Sequence, residues 1–418
     1  MKPNTAILHG PNSVDPTTGS PLPPIAQVSA FAQPSAEQME RVFRSQTPGF
    51  VYTRLANPTI SVFEQRVAAL EGGFGAVACA SGMAAIAMAL LNLLKTGDEI
   101  VATCQLYGGT LNLFHNLEHF GITIRLAPGC RVEDIEPVIT EKTRLIFTET
   151  ISNPGLNVAD IAALAEMAHR HNLPLLVDNT SATSVLVQPL KLGADIVIHS
   201  SSKYINGSGD AISGVIVDGG RFSWDPARWP VLAPFCQPSK AAFTKRLRQD
   251  IWQNFGPCIS PQNAYLNVLG IETMSLRVEK ACHNALALAR TLEQLPGIYA
   301  VNYPGLESSS VYNLTKVQMK DGMGGALLTF RAGSKERAFA IINHLKCAFI
   351  ISNIGDVRTL AIHPASSIFI HSSVEEMERT GVYDDLIRVS VGIEDAEDLV
   401  EDFTQAVASL KSPEAKEE

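Results

Sequence analysis

The sequence lacks the features that would place the protein in a membrane, outside the cell or on a nucleic acid. Its longest apolar stretch, around Ala84–Leu94, is too short to cross a bilayer. The first residues, MKPNTAILHG, contain one lysine and no apolar core of a secretory signal. The net charge of -9 at pH 7 argues against a nucleic-acid-binding surface. We therefore expect neither a membrane nor a nucleic acid as a partner.

Paired cysteine motifs are also missing. The 7 cysteines are odd in number, scattered and never spaced as C-x-x-C. This pattern is typical of reduced thiols and disfavours disulfides and zinc sites, so we expect a cytoplasmic protein without a metal. The chain also has no internal repeat and no low-complexity segment.

The length and composition indicate a globular protein with more than one domain. A chain of 418 residues exceeds a single core, and a hydrophobic content of 46% is ordinary for a well-packed enzyme. Residues 1–55 are rich in Pro, Gly, Ser and Thr, which predicts an extended arm with one short helix near Ala36–Phe43. This arm packs on a neighbouring subunit or is a disordered tail. We expect a large domain over residues 56–270, and a connecting helix with a smaller domain over 271–418.

Between residues 56 and 270, short apolar runs alternate with helical patterns. One helix is predicted from Asn57-Pro58 to Glu71, and an alanine-rich helix ends near Leu94. The alternation predicts an α/β fold whose mostly parallel sheet has helices on both faces and ligands at the carboxyl ends of its strands. The predicted strands lie near Ala76–Ala78, Glu99–Ala102, Thr123–Leu126, Leu145–Thr148, Pro174–Val177, Ile196–Ile198 and Gly214–Val217. Further helices lie near Thr110–Phe120, Val132–Ile139 and Ala159–His171.

The pattern changes toward the C-terminus and predicts a smaller α+β domain. A long helix is expected from about Ser275 to Leu295, where Pro296-Gly297 ends it. The acidic tail after Lys411 is predicted to be frayed. Strands are predicted near Ala326–Phe330, Phe349–Ser352 and Leu386–Ser390, and helices near Lys335–Leu345 and Ala396–Leu410.

Polar residues with chemical potential follow the predicted strands. An apolar run ends on Asp178, and the next one ends in a serine cluster that leads to Lys203. Pyridoxal phosphate forms a Schiff base with a lysine and needs a carboxylate at its pyridinium nitrogen, so this pair suits that cofactor. Tyr107, Asn153 and Thr180 also stand just after strand ends. In addition, a strand, the turn Ser81-Gly82-Met83 and a helix together form a common anion-binding arrangement.

Each of these residues also has an ordinary structural interpretation. Asp178 could cap the following turn, and Lys203 could be a surface lysine. Tyr107 could belong to the core or the surface, and Arg54 and Arg388 could be salt-bridge partners. Their order and their positions at strand ends favour the functional interpretation.

The stretch QPLKLGADIVIHSSSKYINGSGD, residues 188–210, resembles the signature of the Cys/Met-metabolism family of pyridoxal-phosphate enzymes. That signature is D-x-x-x-x-x-P-L-x-x-G-A-D-I-V-x-H-S-x-[ST]-K-Y-x-x-G-H, and this chain departs from it where Ser208 replaces the last histidine. The resemblance extends from about residue 20 to 410. It implies the aspartate-aminotransferase-like fold, or fold type I, with a seven-stranded large-domain sheet. It also implies pyridoxal 5'-phosphate as the cofactor and an oligomer, typically a tetramer of two dimers.

The resemblance also implies a role for each matching residue. Lys203 is the Schiff-base lysine, Asp178 the partner of the pyridinium nitrogen and Tyr107 the residue that stacks on the ring; these three are the expected catalytic residues. The expected cofactor-binding residues also include Ser81, Gly82, Met83, Thr180, Ser200 and Ser202, together with Tyr52 and Arg54, which reach the cofactor of a neighbouring subunit. The expected substrate-binding residues are Asn153, Ser352 and Arg388.

Within the family, the stretches LYGGTLNLF, GRFSWDPARWP and VRTLAIHPASS resemble the O-acetylhomoserine sulfhydrylases. Methionine γ-lyases usually carry a cysteine two residues after the stacking tyrosine, and this chain has Gly109 there. The usual threonines and histidine after HPAS are replaced by Ser367, Ile368 and Phe369 in a loop expected to border the pocket. The implied reaction joins O-acetyl-L-homoserine to sulfide or methanethiol, which gives homocysteine or methionine and releases acetate.

Other functions remain open from the sequence. Within the family these are methionine γ-lyase and O-succinylhomoserine or cystathionine γ-synthase activity. Outside that class, the chain could bind the cofactor without turnover as a regulatory partner. It could also take its sulfur from a sulfur-carrier protein.

Overall fold

The computed structural model describes residues 3–236 and 241–410, and the predicted frayed tail lies outside them. A seven-stranded sheet forms the larger part, in the order β1-β7-β6-β5-β4-β2-β3. Strand β7 pairs antiparallel with β1 and β6, and the other pairs are parallel. The predicted mostly parallel sheet is therefore confirmed. Its strands are β1 (Gly75–Cys79), β2 (Glu99–Ala102), β3 (Thr123–Leu126), β4 (Thr143–Glu149), β5 (Leu175–Asp178), β6 (Ile196–His199) and β7 (Gly214–Asp218).

Helices cover both faces of this sheet because its central strands are apolar on both sides. Alternate residues of β6 enter opposite cores: Ile196 and Ile198 pack with α4, whereas Val197 packs with α3 and α11. The helices of this part are α1 (Pro3–His9), α2 (Ala36–Phe43), α3 (Pro58–Glu71), α4 (Gly82–Leu91), α5 (Gly108–Glu118), α6 (Val132–Ile135), α7 (Ile161–Arg170), α8 (Thr183–Leu186), α9 (Ala242–Arg246) and α10 (Gln253–Phe255), with a π-helical segment Leu247–Trp252 between the last two.

A second, four-stranded antiparallel sheet forms the C-terminal part, in the order β10-β11-β9-β8. Its core joins the end of the long helix α11 to the last helix, and Phe330 and Phe403 meet edge to face with their ring centroids 6.3 Å apart. The strands are β8 (Ala300–Asn302), β9 (Leu327–Arg331), β10 (Leu360–Ile362) and β11 (Leu386–Ser390). The helices are α11 (Pro261–Leu292), α12 (Tyr312–Gln318), α13 (Lys335–His344), α14 (Val374–Arg379) and α15 (Ala396–Ala408).

The long helix begins much earlier than predicted. It begins at Pro261 after the N-cap Ser260, rather than near Ser275. Gly270 lies in this early part and weakens the helical pattern, because glycine is a poor helix former. The structure explains this glycine: a Cβ there would lie 2.5 Å from the carbonyl oxygen of Asn206. The helix therefore packs directly against the segment that follows Lys203.

The predicted strand at Phe349–Ser352 is wrong. Only Phe349 makes a bridge, to Leu360, and residues 349–351 are exposed. An apolar run alone does not distinguish a buried strand from a surface loop, and here tertiary packing left the run outside. In the N-terminal arm the helix Ala36–Phe43 is confirmed, whereas the helix Pro3–His9 was missed.

Asn57 links the N-terminal arm to the start of helix α3 and provides a stability test. It is fully buried, its Oδ1 accepts a hydrogen bond from Thr59 N at 3.0 Å and its Nδ2 donates to Ala26 O at 2.9 Å. We expect Asn57→Ala to destabilise the protein by roughly 2–4 kcal/mol, because a helix cap is lost and the partly buried Ala26 carbonyl loses its donor. The midpoint of thermal unfolding measures this change.

Ser373→Ala is the matched control. Ser373 caps α14 by accepting from Glu376 N at 3.2 Å, but it is exposed, so its loss is compensated by water. Equal shifts in the unfolding midpoint for the two variants would contradict the role given to Asn57.

Candidate active site

A cavity of about 430 Å³ lies where the parallel strands of the large sheet end. Ligand sites in α/β sheets form at this edge, because the loops that leave the strands diverge there. It is lined by the following predicted residues: Ser81, Gly82, Met83, Tyr107, Asn153, Asp178, Thr180, Ser200, Ser202, Lys203, Ser352 and Arg388. The fold therefore brings together most of the residues that the sequence singled out.

Lys203 is partly buried in this cavity rather than on the open surface. It follows β6 in a turn, and its Nζ donates a hydrogen bond to Asn353 Oδ1. Burial, and secondarily the positive charge of Arg388, lower the pKa of the lysine below its ordinary value. A lower pKa leaves more of the amine neutral, which is the form that attacks a carbonyl carbon.

Two carboxyl groups stand side by side at the strand ends. Asp178 ends β5, Glu149 ends β4, and the two residues are in register. Burial raises the pKa of Asp178, while hydrogen bonds from Thr180, including Thr180 N to Oδ1 at 2.9 Å, oppose that rise. Burial and the neighbouring Asp178 raise the pKa of Glu149 well above its ordinary value. A bound cation would favour ionisation of this pair.

Arg388 is a buried cation in the wall of the cavity. Its side chain is 3% exposed, Nη1 donates to Asn153 Oδ1 at 3.1 Å and Nη2 donates to Asn353 O at 3.0 Å. Its Nε has no hydrogen-bond partner, and within residues 3–236 and 241–410 no carboxylate forms an ion pair with it. Burial lowers its pKa to about 10. The guanidinium is therefore suited to bind an anion that enters the cavity.

The first turn of α4 borders the cavity on another side. Ser81 caps this helix by accepting from Ala84 N at 3.0 Å, and the N–H groups of the first turn have no partner within the helix. Ser200 passes so close that a Cβ on Gly82 would lie 2.6 Å from the Ser200 Cβ. The Ser202 hydroxyl already donates to Ser213 O at 2.9 Å. The N–H groups of the first turn of α4 can bind a phosphate.

Tyr107 lies at the mouth of the cavity, directly before the first residue of α5. Its side chain is 38% exposed, and its N–H donates to Glu149 Oε1 at 2.7 Å. A Cβ at Gly109 would overlap the Cε1 atom of the tyrosine ring and lie 3.1 Å from both Cδ1 and Cζ. The ring can take this position only because residue 109 is a glycine.

Two predicted residues do not line this cavity. Tyr52 is exposed, and the guanidinium carbon of Arg54 lies 5.4 Å from the centroid of its ring. The Arg54 Nη1 donates to Gln253 O. Both residues were predicted to reach a neighbouring subunit's cofactor, and that role stays a prediction.

The structure adds three polar residues that the sequence did not single out: Glu149, Ser181 and Asn353. Glu149 ends a strand as Asp178 does, so the rule that found Asp178 could have found it too. Asn353 lies in a loop without a pattern, and its contacts with Lys203 and Arg388 appear only in three dimensions. The predicted Ser352 lines the cavity, but its neighbour Asn353 makes these contacts. Ile368 lines the cavity as expected of its loop.

A lysine, a carboxyl pair and an anion cradle at the strand ends of this sheet define a pyridoxal-phosphate-dependent enzyme of fold type I. Over residues 4–408 the chain matches the family described as "Cys/Met metabolism PLP-dependent enzyme", and it belongs to that family. The lowered pKa of Lys203, the unpartnered Arg388 Nε and the close approach at Gly82 fit the cofactor and an anionic substrate.

Individual relatives match over nearly their whole length. The chain is 39% identical to an O-acetyl-L-homoserine sulfhydrylase of Leptospira meyeri, covering 98% of this chain and 97% of the relative. It is 40% identical to a homocysteine synthase of Schizosaccharomyces pombe, covering 96% and 97%. A Campylobacter jejuni crystal structure assigned as an O-acetylhomoserine (thiol)-lyase superposes with a TM-score of 0.93 at 34% identity, covering 98% and 100%, and carries a pyridoxyl-lysine phosphate.

Gly109→Ala tests the constraint on the Tyr107 ring. The new methyl group must displace the ring, whereas the helix itself gains up to about 1 kcal/mol because alanine is a better helix former than glycine. We expect an unchanged or higher unfolding midpoint together with a shifted absorbance and circular dichroism of the bound cofactor.

Gly75→Ala is the control, because a Cβ there would meet only Thr244 Cγ2 at 3.9 Å. A cofactor spectrum identical to that of the unchanged protein in the Gly109→Ala variant would refute the constraint.

Proposed function

We propose that this protein is a γ-replacement enzyme that converts O-acetyl-L-homoserine and sulfide, or methanethiol, to L-homocysteine, or L-methionine, and acetate. The observation that carries the proposal is the position of Asn353, which contacts both Lys203 and the anion-free Arg388. Asn353 thereby holds the Lys203 amine and the Arg388 guanidinium close together. An amino-acid substrate requires both, because it carries an amino group and a carboxylate. Full-length relatives that bear sulfhydrylase names support the choice of reaction.

In this proposal each side chain has one task. Lys203 holds the cofactor covalently, and after release its amine moves protons at the substrate. Asp178 keeps the ring nitrogen protonated, and Tyr107 covers the ring face. Ser81, Gly82, Met83, Thr180, Ser200 and Ser202 surround the phosphate, with Tyr52 and Arg54 contributed by a partner subunit. The α-carboxylate is bound by Arg388, Asn153 and Ser352.

The chemistry divides between cofactor and protein. Bound pyridoxal 5'-phosphate supplies an electron sink for negative charge at the substrate Cα. The neutral Lys203 amine would take the proton from Cα, pass it to the bound cofactor and, neutral again, take one from Cβ. The Cγ–O bond breaks and acetate leaves; a sulfide or thiolate then forms the Cγ–S bond, and the protons return to Cβ and Cα. Arg388 holds the carboxylate bidentately, which keeps the Cα–H bond oriented toward Lys203.

The charges in the cavity favour an acetyl over a succinyl ester. Among the described residues that line it, the cations are Lys203 and Arg388. The cofactor engages the first and the α-carboxylate the second, so a succinyl carboxylate would enter without a partner, at a high desolvation cost. Part of the remaining wall is apolar, with Ile212, Ile354 and Ile368. A small neutral acyl group suits such a wall.

The proposal also includes the assembly and the location of the protein. The exposed Tyr52 and Arg54 support a dimer in which each arm of residues 1–55 contacts the neighbouring subunit, and two dimers form the tetramer. We retain the large domain at 56–270 and the smaller one at 271–418. The 7 free cysteines support a cytoplasmic location. In the described ranges, no helix has the length and apolar character needed to span a membrane. A sulfur-carrier protein is the alternative to free sulfide as the sulfur donor.

The runner-up is a γ-lyase of the same family. A cystathionine γ-lyase of Lactobacillus plantarum superposes with a TM-score of 0.86 at 31% identity, covering 98% of this chain and 99% of that one. Gly109 disfavours methionine γ-lyase, because the cysteine typical of those enzymes would displace Tyr107 from its present position. The two activities differ in their products.

Product analysis tests the reaction. With O-acetyl-L-homoserine and sulfide, we expect homocysteine and acetate in equal amounts, and turnover with the O-succinyl ester at least tenfold slower, which corresponds to about 1.4 kcal/mol. Release of α-ketobutyrate from methionine as the main activity would instead identify a lyase. Absence of turnover with every substrate would favour a regulatory protein, and activity only with a protein thiocarboxylate would identify a carrier-dependent enzyme.

Lys203→Ala tests the lysine. We expect loss of turnover and loss of the visible absorbance of the covalently held cofactor, because no other lysine lines the cavity within the described part of the chain. Lys191→Ala is a control, because that lysine lies outside the cavity at the opposite edge of the sheet. A Lys203→Ala protein that retains the absorbance band would refute the assignment.

A further inference from the structure

Glu149 lines the active-site cavity but takes no part in the chemistry proposed above. Its side chain is 6% exposed, and its register partner on the next strand is Asp178. Burying one carboxyl group beside another costs free energy, so other contacts of Glu149 must compensate for that cost. No cationic side chain pairs with it among the residues that the structure describes.

The compensation comes from two main-chain N–H groups that belong to different parts of the site. Glu149 Oε1 accepts from Tyr107 N at 2.7 Å, and Oε2 accepts from Asn153 N at 3.3 Å. Hydrogen bonds from N–H groups stabilise a carboxylate, and here they oppose the effects of burial and of Asp178. One side chain therefore holds two separate loops.

Each of these loops positions a functional group. Tyr107 is the N-cap residue of α5, and its side chain makes no capping hydrogen bond. The hydrogen bond from its N–H to Glu149 therefore fixes the position of the tyrosine main chain. Asn153 Oδ1 accepts from Arg388 Nη1 at 3.1 Å. A continuous path of contacts thus runs from Glu149 through Asn153 to the guanidinium that is free to bind an anion.

We infer that Glu149 is a positioning residue, which fixes the Tyr107 ring through one carboxylate oxygen and the Asn153–Arg388 pair through the other. The second part rests on the proposed function insofar as Arg388 binds the substrate α-carboxylate. Glu149 itself does not touch the reacting atoms in this scheme.

The two hydrogen bonds differ in length, and this difference makes the inference testable. A glutamine at this position has one acceptor oxygen. We expect that oxygen to keep the shorter bond to Tyr107 N and the amide NH2 to face Asn153 N, which then lacks an acceptor. Glu149→Gln should therefore disturb the carboxylate clamp and leave the ring in place.

The experiment uses the cofactor-loaded enzyme and two readouts. For Glu149→Gln we expect the KM for O-acetyl-L-homoserine to rise about tenfold with kcat changed less than about threefold, as the loss of one buried hydrogen bond predicts. We expect the affinity for glycine, followed by the change in cofactor absorbance, to fall by about the same factor. The absorbance and circular dichroism of the bound cofactor without glycine should remain unchanged.

Glu149→Ala removes both hydrogen bonds, so we expect it to weaken glycine binding and also to alter the circular dichroism of the bound cofactor. Glu64→Gln is the control, because Glu64 is a buried carboxylate that accepts a main-chain hydrogen bond from Ala78 N at 2.8 Å, pairs with Arg248 and does not line the cavity. It can lower the unfolding midpoint but should leave glycine affinity and KM unchanged.

Unchanged glycine affinity in Glu149→Gln, or the same loss in Glu64→Gln, would overturn the inference. If Glu149→Gln fails to fold, Glu149→Asp takes its place with the expectation given for Glu149→Ala, because its shorter side chain draws the carboxylate away from both N–H groups. Glycine binding needs no turnover, so this test remains valid even if the enzyme makes a product other than homocysteine, a result that would contradict only the proposed reaction.

Discussion

The active site is organised around Arg388, a buried guanidinium for which the described residues supply no counter-charge. Arg388 lies on β11 of the small sheet and donates to Asn153 and Asn353, of which Asn153 belongs to the large-sheet part. Burying an unpaired cation costs several kcal/mol, even after relaxation. Neutral carbonyl oxygens compensate only partly for that cost, so the site is arranged for an anion that completes it. The two parts of the protein meet at this residue, and in the proposed function the substrate carboxylate binds where they meet.

The parallel sheet explains why the other groups lie opposite Arg388. Strands β4, β5 and β6 run in the same direction, so Glu149, Asp178 and the turn that carries Lys203 emerge at one edge. Burial raises the pKa of both carboxyl groups at this edge, and a ring with a protonated nitrogen would favour their ionisation. Close packing then limits the positions of the remaining atoms. Gly82 allows Ser200 to approach α4, and Gly109 leaves room for the Tyr107 ring.

Local patterns predicted much of this arrangement. The helix Ala36–Phe43 and the strand Leu386–Ser390 have the predicted bounds, and the mostly parallel pairing of the large sheet followed from the alternation of strands and helices. The errors share a cause. The early start of α11 and the surface position of Phe349–Ser352 depend on neighbours distant in sequence. Gly270 weakens the helical pattern, yet it is needed where the helix approaches Asn206.

The sequence by itself determined the fold class, the cofactor and the residues at the strand ends, because strand periodicity and the spacing around Lys203 are local properties. Only the tertiary structure decided that Arg388 has no anionic partner in the described part of the chain, and that Asn353, rather than the predicted Ser352, contacts both cations. It also showed that Glu149 holds two loops at once. Most of these contacts join residues distant in sequence: the separation is 42 positions for Tyr107–Glu149, 150 for Lys203–Asn353 and 235 for Asn153–Arg388. Such distances lie beyond any local pattern, because packing between elements decides which side chains meet.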